Sequence, residues 1–349
     1  MGIVRPWRSQ ALYHGVAAAL TPESDPAILL VRTNRAYLCV GQDDATVPAA
    51  SLAYCREQEM PVIARQVSGP PELIDQHQLG FQLIVHLDRL EEMGLADPDE
   101  RCAKLASPLL TAYNKLGVEA TFHAPAEIRI GGKRTGGLGW GQIEAGLALT
   151  GSMVLSAEND LRASVLTGDS GNLQAKVAES LDAYTTTLEQ EATPPPRVEN
   201  LAARLVDALE QQWQLDVYPA FPTLEELEII EEYDEYLQVD LSDADGAAPA
   251  GALQTVYIRD DVQVLHAAAG AEGNLEAVIR VVAGQLDSML LSGDLQAASK
   301  TELAALADMF AGAGLDSGDL QARFKLLRDA ESLDQDPVGP PLNIAAATT

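Results

Sequence analysis

The sequence predicts an α+β protein, with mixed sheets flanked by helices over residues 1–240 and a small β-hairpin and helical domain over 252–335. Three observations carry the prediction. Short β-rich runs mix with helical stretches through the first 190 residues. A small-residue segment, Ser242–Gly251 (SDADGAAPAG), has the composition of a linker, drawn here as 241–251. Beyond it, two β-prone runs flank a turn and three helical stretches follow. At 349 residues the chain is long enough for two domains with buried cores.

Taken in order, Ala27–Val31 (AILLV) and Ala36–Val40 (AYLCV) read as strands separated by the polar break Arg32–Arg35. Val47–Gln58 reads as a helix, with Leu52 and Cys55 at i,i+3 on one face. Val62–Ala64 and Phe81–Leu87 are apolar and β-prone. Pro98–Leu116 is amphipathic: Leu105, Leu109, Ala112 and Leu116 recur on one side, Gly117 stops it, and Pro108 is expected to kink or split it. Val118–His123, Ala126–Ile130 and Leu147–Leu155 read as further strands, and Val177–Glu189 opens the next helical stretch. After the stiff break Thr193–Pro196, helices are expected at Val198–Gln212 and Leu224–Leu237, the second with an acidic, solvated face. In the smaller domain Leu253–Ile258 and Val262–Ala267 flank Arg259-Asp260-Asp261 as a hairpin. Helices are expected at Asn274–Leu290, Lys300–Ala311 and Leu320–Leu333, and the tail 336–349 is expected to be flexible.

The charge balance excludes whole classes of partner. Against 52 Asp and Glu stand only 23 Lys and Arg, a formal net charge of −29. A nucleic-acid binder needs a basic face for phosphate contacts, and an anionic membrane surface would repel this chain. No apolar run approaches the length of a membrane helix and no secretory h-region is present, so a cytoplasmic protein is expected. The excess of carboxylate over lysine resembles the proteome of a salt-loving organism, in which self-repulsion is screened. Cys39, Cys55 and Cys102 lie far apart and share no metal-ligand spacing, and the five histidines form no HExxH or HxxH pattern. No protein-bound metal centre is expected.

Two segments hold the chemistry. In Glu127-Ile128-Arg129-Ile130-Gly131-Gly132-Lys133-Arg134-Thr135-Gly136-Gly137-Leu138-Gly139, a strand enters a Gly-Gly turn and a scarce lysine precedes more glycines. Glycines let backbone N–H groups approach a ligand, and a lysine there supplies a point charge for a phosphate, carboxylate or acyl oxygen. The same pattern also describes a glycine-rich hairpin with an incidental lysine. The GxxxxGK[ST] order of a P-loop is missing. The second segment, Arg65-Gln66-Val67-Ser68-Gly69-Pro70-Pro71, reads either as a proline-stiffened loop or as an anion-facing turn with Arg65 and Ser68 as donors.

In this order the two segments resemble the lipoate–protein ligase family, within the wider biotin/lipoate ligase and octanoyltransferase fold. Val40-Gly41 resembles the family's early GxxQ strand end, with Asp44 at the glutamine position. Ile63–Phe81 resembles RRxTGGxAVxHDxxxLxYS, with Arg65, Ser68 and Gly69 in register, Gln66 at the second arginine and Pro70 at a glycine. Lys133-Arg134-Thr135-Gly136 resembles the KIxG of DIxxxGrKIxGsA, with Glu127-Ile128 upstream; an ungapped alignment sets Arg134 at the lysine position instead. Thr150–Leu155 resembles the following HGSlLl strand. The likeness covers about residues 8–190, and the part after 250 resembles the accessory domain that some ligases carry.

The resemblance implies an α+β, biotin/lipoate ligase-like fold and an ATP-dependent lipoate–protein ligase, with Mg2+ accompanying ATP. Lipoate or octanoate would attack ATP to give acyl-AMP and pyrophosphate. A lysine of a lipoyl-carrier protein (a lipoyl domain, a glycine-cleavage-type H protein or a lipoate-binding protein) would then take the acyl group. Lys133 would contact the acyl and phosphate oxygens as the catalytic residue. Arg65, Ser68, Gly69, Glu127, Gly136 and Gly137 would bind nucleotide and acyl-adenylate, and Leu73 and Ile74 would wall the acyl tunnel. Two other readings stay open: a catalytically silent ligase-fold binder, which the departures at Gln66 and Pro70 favour, and an octanoyltransferase working through a cysteine thioester, although all three cysteines precede Lys133.

Overall fold

The computed structural model of the chain describes residues 2–41, 47–168, 170–242, 244, 253–269, 275–295, 297–331 and 344–345. The chain opens with β1 (Gly2–Val4), α1 (Pro6–Ala19), β2 (Ala27–Thr33), β3 (Tyr37–Gly41), α2 (Ala49–Glu57), β4 (Val62–Arg65), β5 (Glu72–Ile74) and β6 (Gln78–His86). It continues through α3 (Arg101–Asn114), β7 (Ala120–His123), β8 (Glu127–Ile130), β9 (Lys133–Ile143), β10 (Gly146–Val154), α4 (Asn159–Thr167), α5 (Gly171–Tyr184) and α6 (Leu188–Glu191). Then come α7 (Val198–Trp213), α8 (Leu224–Tyr236), β11 (Gln254–Arg259), β12 (Val262–Ala269), β13 (Leu275–Val282), β14 (Gln285–Gly293), α9 (Lys300–Ala311), α10 (Ser317–Glu331) and β15 (Ile344–Ala345). These residues form two compact units. The first comprises Met1–Val47, Cys55–Asn159 and Tyr184–Ala244, and the second comprises Pro48–Tyr54, Asp160–Ala183 and Asp245–Thr349.

The first unit is built on a seven-stranded sheet in the order β1-β2-β6-β10-β9-β8-β7, with β10 at its centre. Only the edge pair β1–β2 is parallel; the rest is antiparallel. Alternation gives the sheet two unlike faces. Leu79, Phe81, Leu83 and Val85 of β6 join Leu147, Leu149 and Met153 of β10 in one core, closed by Leu105, Leu109 and Ala112 of α3 and Leu201, Leu205 and Leu209 of α7. Those helical spacings of three, four and seven residues are what bring an apolar stripe onto a sheet. The opposite face has Ile84 and Ala148 packed with Ala11, Val16 and Ala17 of α1, behind which lies Ile230 of α8. A separate three-stranded sheet, β4-β3-β5, completes this unit.

The second unit contains a five-stranded antiparallel sheet, β11 to β15 in sequence order. Leu265, Leu275, Ala277, Ile279, Val281, Met289 and Leu291 face α9 and α10 through Leu303, Leu306, Phe310, Leu320 and Phe324. Polar contacts tie α5 to this sheet: Asn172 donates to Glu276 (2.9 Å) and Ser292 (3.0 Å), and Glu179 pairs with Arg280 (2.8 Å).

The α+β class and the flanked mixed sheets agree with expectation, as does the hairpin now seen as β11–β12. Three local features differ, wholly or in part, from expectation. Residues 275–293 are not helical but form the hairpin β13–β14, turned at Ala283 (φ 50°) and Gly284 (φ 75°). Two consecutive left-handed residues make the tight primed turn that a right-twisted hairpin requires. Pro108 does not split α3, which runs unbroken from Arg101 to Asn114 with Pro108 among its buried residues. The helical stretch expected from Val177 starts earlier, at Gly171, and α4 precedes it. The expected linker 241–251 and tail 336–349 lie outside the described residues except for 241, 242, 244 and 344–345, as does Asp44.

Candidate functional site

A central strand should be covered on both faces. β10 is buried from Gly146 to Leu149, but at Thr150, Gly151 and Ser152 it becomes half-exposed before Met153 is buried again. Thr150 lies opposite Gln82 on β6 and Gly139 on β9, and Ser152 lies opposite Gly80. Residues directly opposed share a face. The floor of a cleft is therefore made of Gly80, Thr150 and Ser152, on the side of the sheet facing away from α3 and α7. Gln82, 7% exposed, carries an amide oxygen with no hydrogen-bond partner there.

One margin of this cleft is the loop between β4 and β5. Arg65 ends β4 and turns its guanidinium back under that loop: Nε donates to Val67 O (3.1 Å) and Nη2 to Gly69 O and Pro70 O (2.7 Å each). Holding three carbonyls on a buried cation keeps their negative ends off the other side of the turn. There Gly69 is the candidate N–H donor to an anion: the Gln66 and Ser68 N–H groups are already bonded, and Pro70 and Pro71 carry none. Gly69 holds φ +128°, a value open to glycine. Beyond Leu138, whose N–H still donates to Ala126 O (2.7 Å), the outer edge of β9 is taken by Ser68, its N–H (3.3 Å) and its hydroxyl (3.2 Å) both donating to Trp140 O. A Cβ on Gly139 would lie 2.6 Å from Ser68 O, and one on Gly141 would lie 2.5 Å from Gln66 O. The glycines of β9 seat this loop.

Beside the loop lies a chain of buried charge. Gly131 (φ 56°) and Gly132 (φ 81°) form the turn of the β8–β9 hairpin. Next to it Glu127 Oε2 accepts from Arg129 Nε (2.8 Å) and Nη2 (2.6 Å), while its Oε1 faces Arg134 Nε at 3.7 Å. Arg134 Nη2 donates to Glu72 Oε1 at the start of β5. Cleft floor, anion-facing turn and cationic strand end thus converge from β10, the β4–β5 loop and the head of β9.

The sequence of residues 5–210 matches the model of the lipoyl protein ligase A/B catalytic domain. The chain belongs to that family. No curated protein matches the sequence. Among solved structures, the fold is similar to the bipartite lipoate protein ligase of Thermoplasma acidophilum (13% identity, TM-score 0.57, covering 67% of this chain and 91% of that one). It is also similar to a lipoate-protein ligase A bound with ATP (13%, TM-score 0.54, 67% and 94%). LipL1 of P. falciparum in complex with lipoate covers 94% of this chain and 98% of its own at 14% identity and TM-score 0.50.

Against the lipoyl ligase motif, the residues singled out from sequence fall into three groups. Ser68, Gly69 and Gly137 stand at the cleft margin, and Gly136 lies beneath it, where a Cβ would meet Ser152 O at 2.5 Å. Arg65 and Glu127 are buried and bond to protein groups, Arg65 shaping the turn and Glu127 holding two arginines. Leu73 and Ile74 occupy opposite faces of β5; Ile74 packs with Tyr37, Cys39 and Ile63. Lys133 lies at the hairpin end opposite Ile130. Among the described residues no group of three His, Cys, Asp or Glu could hold a metal ion, and no helix is long and apolar enough to cross a membrane.

The Thr150–Leu155 strand matches its motif without being assigned a place in the site by sequence, and one buried polar group behind the loop, His14, has no sequence signal. The ring of His14, fully buried on α1, has Nδ1 2.8 Å from Gln10 O, while the backbone N–H of Gln66 points at its Nε2 (3.2 Å). A carbonyl must accept and an amide must donate, so His14 is the neutral Nδ1–H tautomer. Burial pushes its pKa down from 6.5 to about 4, the Gln10 carbonyl partly opposing. The unfolded chain takes up this proton near pH 6.5 and the folded chain resists until about pH 4. Stability is therefore lost as pH falls through that window, by about 3 kcal/mol for a shift of this size. Denaturant unfolding at pH 7 and pH 4 should show this loss in the native chain and a smaller one in His14→Gln; equal losses would remove His14 as the cause.

Proposed function

We propose that this chain activates lipoate or octanoate with ATP and Mg2+ to an acyl-adenylate, and transfers the acyl group to a lysine of a lipoyl-carrier protein in the cytoplasm. The observation that carries the reading is the half-exposed Thr150–Ser152 floor of an otherwise buried central strand, lying beside the Arg65-shaped turn. Membership of the lipoyl ligase family supports it. So do the similar folds described with bound ATP, with lipoate, and alongside an E2 lipoyl domain.

The chemistry needs a site that gathers oxyanions. The acyl carboxylate and the phosphate it attacks repel each other, and a fixed cation with backbone donors lowers that cost. The cation stands at the head of β9, where Lys133 and Arg134 are adjacent, and the Gly69 N–H is the backbone donor of the turn beside it. The amine that receives the acyl group arrives on the partner protein.

Cysteine chemistry is the weaker alternative. All three cysteines are buried, and burial pushes the Cys55 thiol up to about 12 and raises Cys39 and Cys102 as well. A thiol held protonated is a poor nucleophile. The deciding experiment is mass spectrometry of a lipoyl-carrier protein incubated with the chain and octanoate or lipoate, with and without ATP, and in a separate reaction with an octanoyl thioester in place of both. ATP-dependent acylation of the carrier is expected. Acylation from an acyl thioester donor alone would replace the ligase reading by a transferase. Acyl-chain binding without any transfer would replace it by a silent binder.

A further inference from the structure

We infer that Arg134, rather than Lys133, is the cation that receives the substrate carboxylate, and that Glu72 holds the position on Arg134 which this carboxylate takes. The inference rests on the acyl-binding reading above, and the register of the β8–β9 hairpin carries it. Ile130 is paired with Lys133 and Arg129 with Arg134. Directly opposed residues share a face. Ile130 is buried in the core that faces α3 and α7, so Lys133 leaves β9 on the side away from the cleft. Arg134 leaves it on the other side, with Arg129 and Glu127.

A bulge fixes the remaining geometry. Between Ile128 and Arg129 the register shifts by one, so Thr135 is extra and Gly137 falls opposite Glu127. The parity change sets Arg134 and Gly137, three residues apart, on one face. A Cβ at Gly137 would lie 2.6 Å from Arg134 Nη2 and 3.5 Å from Glu72 Oε1. The guanidinium thus lies across a bare glycine at the cleft margin, next to the anion-facing turn. It is already paired there with a carboxylate of the very class the reaction uses.

Guanidinium and carboxylate match as planar forks, so an acyl carboxylate can exchange with the Glu72 carboxylate on the same group. Glu127, pinned by Arg129, keeps Arg134 in place during the exchange. Glu72 therefore competes with substrate, and weakening it should tighten binding, which a merely structural salt bridge would not do.

The test is calorimetric titration of the purified full chain with octanoate alone. Arg134→Ala should weaken binding at least tenfold more than Lys133→Ala does, with Arg134→Lys intermediate. Glu72→Gln, which keeps a hydrogen-bonding side chain but removes the charge, should tighten binding several-fold. Thermal unfolding of each variant checks that it is folded, and Arg134→Lys keeps the comparison valid if Arg134→Ala is not. A loss at Lys133→Ala equal to or greater than that at either Arg134 variant overturns the assignment, as does unchanged or weaker binding in Glu72→Gln, or no binding of octanoate by the native chain. If the predicted pattern is found but the native chain shows no ATP-dependent transfer, the ligase reading falls and the Arg134 assignment stands.

Discussion

Glu127→Ala is expected to lower the unfolding free energy of the first unit by about 3–5 kcal/mol, the cost of stripping one partner from a buried charge cluster. Glu127 is 4% exposed and lies between two arginines: Arg129, 8% exposed, donates two hydrogen bonds to it, and Arg134 faces its other oxygen. Alanine leaves Arg129 as a desolvated cation with its main acceptor gone, and loosens Arg134 toward Glu72. Because the penalty comes from orphaned charge and not from lost area, Glu127→Leu combined with Arg129→Met should recover much of the stability. Denaturant unfolding of the single and double variants measures both quantities. A single-variant loss under about 1 kcal/mol would mean that water reaches the cluster.

The parts of this fold that were legible in the sequence are those where one face is apolar and the other is not. α3 and α7 show their stripes plainly, and so does the β11–β12 hairpin with its polar turn. α1 could not be read this way, because Ser9, Gln10, Ala11, Tyr13, His14, Val16 and Ala17 are buried around most of its circumference and leave no periodicity. The β13–β14 hairpin reads as a helix in sequence because small Ala277 and the Ala283-Gly284 turn hide the alternation of Leu275, Ile279 and Val281. At the site, the two motif segments were legible because their glycines and prolines have backbone reasons that sequence displays. Which side of a strand a residue leaves from was not, since a single bulge at Thr135 reverses the parity of everything beyond it. Lys133 stood out as a rare residue, whereas Arg134 acquires its meaning only through Glu72, 62 residues away in sequence. Thr150 and Ser152 belong to the strand that resembles HGSlLl, but their half-exposure on an otherwise buried strand is a property of the layers packed around β10, which no sequence pattern displays.

Gly139→Val is expected to reduce acyl transfer or octanoate binding at least tenfold, at a stability cost of about 1–3 kcal/mol. The Cβ of residue 139 would meet Ser68 O at 2.6 Å and Val67 Cγ1 at 2.9 Å, and backbone cannot yield as a flexible side-chain end can. Relief comes only by lifting the loop, which breaks the two bonds from Ser68 to Trp140 O and moves Gly69 off the cleft margin. A glycine in the same hairpin supplies the contrast. A Cβ at Gly131 meets nothing within 4 Å, but the residue holds φ +56°. Gly131→Ala should therefore cost a comparable 1 kcal/mol or so through backbone strain alone while leaving ligand affinity near its native value. Comparing octanoate affinity with unfolding free energy for the two variants separates a seat for the loop at Ser68 and Gly69 from a general need for glycine. If both variants lose affinity in proportion to stability, the β9 glycines serve folding only, and the turn does not depend on the strand beneath it.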